Sequence, residues 1–233
     1  MLQDRLSEAA IAFHRILEAN NIPYGIFGGF AIACLGGARE SKDVDCIAKV
    51  NKERLINIVD GRSGFVFVNQ TRQDYVAFLW SDTPDRRNAV LLEVFVDQFP
   101  GSCYPLTNVP MGKVQVKGQN SGQQTISLLD PVLIFKGKLR AAALRSKFHD
   151  SADLRWLETR FSAQLATTVA QFDPVYVGLA LRRYPELNNT FLRLGLDLQK
   201  AEAAVQSYSL DKLPAPQPGD VQKGLLRIPS NGP

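Results

Sequence analysis

The sequence predicts an α+β protein in which an N-terminal helix leads into an α/β core and a helical region follows. Three observations predict it. A short apolar strand at Tyr24–Phe27 runs straight into a diglycine and an apolar helix. Between Phe65 and Leu128, apolar runs and apolar/polar alternation recur between turn-forming stretches, as strands require. From Asp130 onward, helix-start signals replace the strand pattern.

In chain order, Leu6, Ala9, Phe13, Ile16 and Leu17 recur at helical spacing and predict an amphipathic helix over residues 3–20, closed by Asn20-Asn21-Ile22-Pro23. Gly29–Leu35 is expected as a helix stopped by Gly36-Gly37. A basic turn carrying Arg39 and Lys42 precedes a strand at Asp43–Val50, and Lys52–Val59 reads as a helix ended by Asp60-Gly61. Phe65–Asn69, Asp74–Trp80 and Ala89–Asp97 are expected strands, the last the most apolar. Phe99–Pro110 reads as irregular, and Lys113–Lys117 and Thr125–Leu128 as short edge-like strands.

Asp130-Pro131 places a capping residue before a proline at the first helical position, predicting a helix to Leu144. Further starts are expected near Asp150, with Asp150 and Asp153 in the first turn, and at Asp173-Pro174. Residues 188–207 read as one last helix, and the Pro- and Gly-rich stretch from Ser209 as an extended or partly disordered tail. The expected organisation is a core over 1–128, a helical region packing on it over 129–208, and a tail over 209–233.

The 233 residues suffice for one large domain or two small ones, and 45% hydrophobic and 21% charged residues are ordinary for a globular chain. The net charge of +4 suits a nucleotide or tRNA partner without requiring one. Cys34, Cys46 and Cys103 are odd in number and scattered, which points to reduced thiols and a cytoplasmic location rather than a disulfide frame. With His14 and His149 far apart, zinc or histidine-triad chemistry is not expected. No stretch is long and apolar enough to span a membrane, and the first 20 residues do not read as a signal peptide.

Gly28-Gly29 lets a ligand approach the backbone where a helix begins; alone, the pair favours the reading of a tight strand–helix turn. Asp43-Val44-Asp45 puts two carboxylates on one strand face, where their mutual repulsion is relieved by a bridging cation, and hard oxygen donors suit Mg²⁺; alone, such a pair is more often a solvated strand end. Glu93 interrupts the apolar strand Val90–Val96, and a carboxylate there is costly unless paired or metal-bound. Asp97 falls nearer the strand end and is read as structural.

Taken in order, Gly28-Gly29-Phe30-Ala31, Gly36-Gly37, Arg39, Ser41 and Asp43-Val44-Asp45 resemble the signature of the nucleotidyltransferase superfamily with a DNA polymerase β-like core. The resemblance is to its minimal branch of abortive-infection-type toxins and small fungal and bacterial members. Leu91–Val96 resembles that superfamily's third-acid strand, and Lys136–Leu157 its following helices. Phe30 stands where many members carry serine, Ser41 where threonine is commoner, and Glu93 where many carry aspartate.

The resemblance implies a mixed β-sheet flanked by helices and an Mg²⁺-dependent enzyme that moves NMP from a nucleoside triphosphate to a hydroxyl of a small molecule, protein or tRNA. Asp43, Asp45 and Glu93 would be the catalytic and metal-binding acids; Gly28, Gly29, Arg39 and Ser41 would hold the nucleotide. Lys136 and Lys138 would touch phosphate, with a solvated helix face as the alternative. Two other readings stand beside it. The fold could serve a repurposed reaction on tRNA or aminoacyl-tRNA that makes a small peptide-like product, or it could be a non-catalytic binding module.

Overall fold

The computed structural model describes residues 2–228, which fall into two compact units. The first runs to Asp130 and resumes at Pro218–Leu226; the second is Pro131–Gln217, resuming at Arg227.

The first unit is built on a seven-stranded mixed sheet. Its helices are α1 (Leu2–Ala19), α2 (Gly28–Cys34) and α3 (Lys52–Val59). Its strands are β1 (Tyr24–Phe27), β2 (Asp43–Asn51), β3 (Phe65–Val68), β4 (Tyr75–Trp80), β5 (Val90–Gln98), β6 (Met111–Gly118) and β7 (Gly122–Leu129). They lie in the order β3-β4-β5-β2-β1-β7-β6, with β2/β5 and β1/β7 parallel and the other neighbours antiparallel. The apolar stripe of α1 supplies one wall of the core: the Phe13 ring meets Tyr24 and Phe65 edge-on, and Phe65 meets Phe78 in the same way. Phe13, Phe30, Phe65 and Phe78 are fully buried, each contributing roughly 1.5–3 kcal/mol of apolar transfer. Phe30, in the signature segment, is thus a core residue.

The strand at Thr125–Leu128, expected at an edge, is interior: β7 lies between β1 and β6, and its end pairs in parallel with β1 at Ile26↔Leu128. Its first half is polar because only Ile126–Leu129 reach the core. The β6–β7 turn is fixed from α1, where the buried Glu8 accepts from the Asn120 and Ser121 amides at 2.9 and 3.0 Å.

The second unit holds α4 (Pro131–Leu144), α5 (Phe148–Ala166), α6 (Pro174–Arg183), α7 (Asn188–Arg193) and α8 (Leu198–Ala204). Asp173 caps α6 by accepting from the Val175 amide at 3.0 Å. The single helix expected over 188–207 is two. Gly195 takes a left-handed φ of 81°, and Asp197 restarts the helix by accepting from the Lys200 amide at 2.9 Å. The extended tail expected from Ser209 is also corrected. It contains a 3₁₀ turn at Leu210–Lys212 and a helix, α9 (Asp220–Leu226), which returns to the first unit; residues 229–233 lie outside the described residues. No helix among the described residues is long and apolar enough to cross a membrane.

Candidate active site

The β1–α2 turn fixes the centre of the site. Gly28 has a φ of 74°, and a Cβ there would collide with the Asp45 carboxylate. A Cβ on Gly29 would lie 2.8 Å from both Arg39 Nη2 and Ser41 Oγ. The diglycine is therefore more than a turn. Its missing side chains make room for an acid at the start of β2 and for a guanidinium and a hydroxyl from the segment that leads into it.

That segment is held by its own polar contacts. Ser41, fully buried, donates to the Asp43 carbonyl at 3.1 Å and lies 3.2 Å from Asp43 Oδ1. Burial alternates along the start of β2: Val44 and Cys46 point into the core, Asp43 and Asp45 to the half-exposed face. β2 and β5 are parallel with Asp43 opposite Leu91 and Asp45 opposite Glu93. Paired residues share a face, so the three acids line one side of two adjacent strands. Glu93 is half-exposed rather than sealed in the core, because its strand alternates over Val90–Val94.

Glu93 has a partner that sequence reading missed. Tyr75, at the start of β4, donates its hydroxyl to Glu93 Oε1 at 2.5 Å. Burial, then the bond to Glu93, then the charges of Glu93 and Asp45 push the Tyr75 phenol well above its ordinary pKa, so it stays a donor. The Tyr75 ring lies 5.3 Å from Phe95, and Phe95 lies 5.9 Å from Phe27, the residue opposite Asp45 on β1. Only the β4/β5 register brings Tyr75 to Glu93, and nothing in the local sequence around either residue signals it.

The expected three-acid metal cage is not preassembled. Among the described residues, no group of three or more acidic, histidine or cysteine side chains is gathered to hold a metal ion. The structure instead places two aspartates at a strand end with Glu93 beside them, its carboxylate engaged by Tyr75.

Lys136 and Lys138, expected at phosphate, belong to the second unit and are committed within it. Lys136 is buried and donates to the Arg227 carbonyl at 2.6 Å. Lys138 is buried against Asp153 at 2.7 Å and Asp150 at 3.8 Å. Asp150 also takes a two-pronged bond from Arg145 at 2.7 and 3.0 Å. Cys34 and Cys46 are disfavoured as nucleophiles, since burial pushes the Cys34 thiol up to about 12 and the Cys46 thiol far above its ordinary range.

The sheet order, the diglycine turn and the placement of the acids define a nucleotidyltransferase-like fold. An antigenic nucleotidyltransferase-like protein from Paracoccidioides brasiliensis shares it with a TM-score of 0.55 and 20% identity, over 82% of this chain and 93% of that one. The chain is also similar to the antibiotic-resistance factor ANT(2″)-Ia, solved in complex with adenylyl-2″-tobramycin (TM-score 0.48, 17% identity, 77% of this chain and 98% of that one). The nucleotidyltransferase toxin MenT4 from Mycobacterium tuberculosis H37Rv gives a TM-score of 0.46 at 16% identity, over 96% of this chain and 88% of that one. No protein-family model matches the chain, and no curated protein matches it in sequence.

Proposed function

We propose that this protein is a Mg²⁺-dependent nucleotidyltransferase that moves NMP from a nucleoside triphosphate to a hydroxyl of a small molecule, a protein or a tRNA. One observation carries the reading: the Gly28-Gly29 turn is bare where Asp45, Arg39 and Ser41 converge, and the β2/β5 register sets Glu93 beside Asp45. A structural turn would need one left-handed glycine; it would not need two glycines each facing polar side chains.

The residues divide the work by chemistry. The glycines let phosphate oxygens come close to the backbone, and Arg39 offers a guanidinium to them. Asp43 and Asp45 present hard oxygens on one face, a donor set that fits Mg²⁺. That ion takes one or two protein carboxylates and completes its shell with substrate phosphates and water, so a preformed three-acid cage is not required. When bound, the cation would offset the charge of the triphosphate. Glu93 is the base. It accepts the acceptor's hydroxyl proton as that oxygen bonds to the α-phosphorus, and the bond from the α-phosphorus to the bridging oxygen breaks to release pyrophosphate.

The test is transfer of label from α-³²P nucleoside triphosphates, with Mg²⁺, to bulk tRNA, to a panel of polyhydroxylated small molecules and to the protein itself. The wild type is expected to label at least one. Asp43→Asn with Asp45→Asn is expected to lower transfer by on the order of a thousandfold or more, with the melting temperature retained. Undiminished transfer by the double variant, or none by the wild type in any arm, contradicts the proposal.

A further inference from the structure

We infer that Tyr75 is a positioning residue for Glu93, and that residues 219–222, from the far end of the chain, brace it. The inference rests on the reading of Glu93 as the base. Tyr75 occupies Oε1 of Glu93, which fixes the carboxylate and leaves Oε2 to take the acceptor's proton. A base held this way needs no reorganisation when the hydroxyl arrives.

The tyrosine is itself held. The Arg72 guanidinium lies over its ring at 5.5 Å and over the Phe95 ring at 5.8 Å, within cation–π range. Arg72 is aimed by a two-pronged bond to Asp74, at 3.0 and 2.7 Å, and Asp74 is fully buried. The C-terminal segment closes the arrangement. The Gly219 amide donates to Asp74 Oδ2 at 2.9 Å. The buried Gln222 amide donates to the Val96 carbonyl at 2.9 Å and the Asp74 carbonyl at 3.2 Å. Gln222 thus ties the entry of β4 to the end of β5, the two strands that carry Tyr75 and Glu93.

The experiment is a double-mutant cycle on transfer, using the acceptor that the label panel identifies, with Tyr75→Phe, Glu93→Gln and the two combined. Tyr75→Phe removes one oxygen and is expected to leave melting and nucleotide binding unchanged. It should lower kcat about ten- to a hundredfold with KM for the nucleotide unaltered. In the Glu93→Gln background the same change should cost nothing further, because the carboxylate it acts through is gone. Gln222→Leu should lower kcat in the same direction by a smaller factor, and only in the presence of Glu93. An unaltered kcat for Tyr75→Phe overturns the inference while leaving the transferase reading intact, as does an equal loss with and without Glu93. Absence of transfer by the wild type overturns both.

Discussion

In the sheet unit, Asp43, Asp45 and Glu93 stand half-exposed on one face, and hydroxyls answer two of them: Ser41 for Asp43 and Tyr75 for Glu93. In the helical unit, Asp150, Asp153 and Glu158 are buried and cations answer them. Lys138 spans the first two, Arg145 forks onto Asp150, and Arg193 forks onto Glu158 at 3.0 and 2.6 Å. The same residue types do opposite work. A carboxylate sealed with a cation has its field neutralised and its geometry used up by the fold. A carboxylate steadied by a neutral hydroxyl keeps its charge for something that arrives later.

The contrast is broken most directly by removing a cation from the helical unit. Lys138→Met takes away the ammonium shared by Asp150 and Asp153 and is expected to destabilise the protein by about 3–5 kcal/mol in urea unfolding. Nucleotide affinity should not change. Asp43→Asn with Asp45→Asn should do the reverse, removing transfer while shifting stability by less than about 1 kcal/mol. If Lys138→Met weakened nucleotide binding at unchanged stability, Asp150 and Asp153 would not be purely structural acids.

A smaller effect sharpens the comparison inside the sheet unit. Gly28 and Gly36 both have left-handed φ, 74° and 97°, but a Cβ at 28 meets Asp45 whereas one at 36 meets nothing within 4 Å. Alanine at either should cost about 1–2 kcal/mol of backbone strain. Only Gly28→Ala should also lower transfer, by about a hundredfold, because it displaces Asp45. Equal activities for the two variants would mean that the glycine at 28 serves the turn alone.

How much of this was legible in the sequence depends on whether the controlling contact is local. The diglycine, the two aspartates and the break after Phe27 lie within one strand–helix–strand passage, and local periodicity places them on one face. The run Val90–Val96 reads as apolar throughout, so Glu93 was expected in a buried strand; its half-exposed position comes from a burial alternation over Val90–Val94 that the residue types do not show. Lys136 and Lys138 failed because sequence shows a basic helix but not what it packs against. Their partners, the Arg227 carbonyl and Asp153, are a chain reversal or a full helix away. Tyr75, Arg72 and the helix at Asp220–Leu226 were invisible for the same reason. Their roles come from strand register and from a C-terminal return that proline and glycine content alone reads as a tail.

A further effect concerns Lys136, and its sign comes from linkage. Burial pulls its ammonium from an ordinary pKa of 10.5 down to about 8. Below pH 8 the folded and unfolded chains both carry the proton, and the folded chain bears the full penalty of burying it. Between 8 and 10.5 the folded chain has released the proton and the unfolded chain has not, so the contribution of Lys136 to stability rises with pH across that window. Lys136→Met lacks this titration. Relative to wild type it should therefore look most favourable at pH 7 and progressively less so by pH 10. Paired urea unfolding of the two proteins at both pH values cancels every other group that titrates alike in them. A difference that stays flat from pH 7 to 10 would mean that the ammonium keeps its proton throughout. The buried contact to Arg227 would then be an ordinary charged hydrogen bond, and Lys136 would differ little from the ion-paired Lys138 two residues along the same helix.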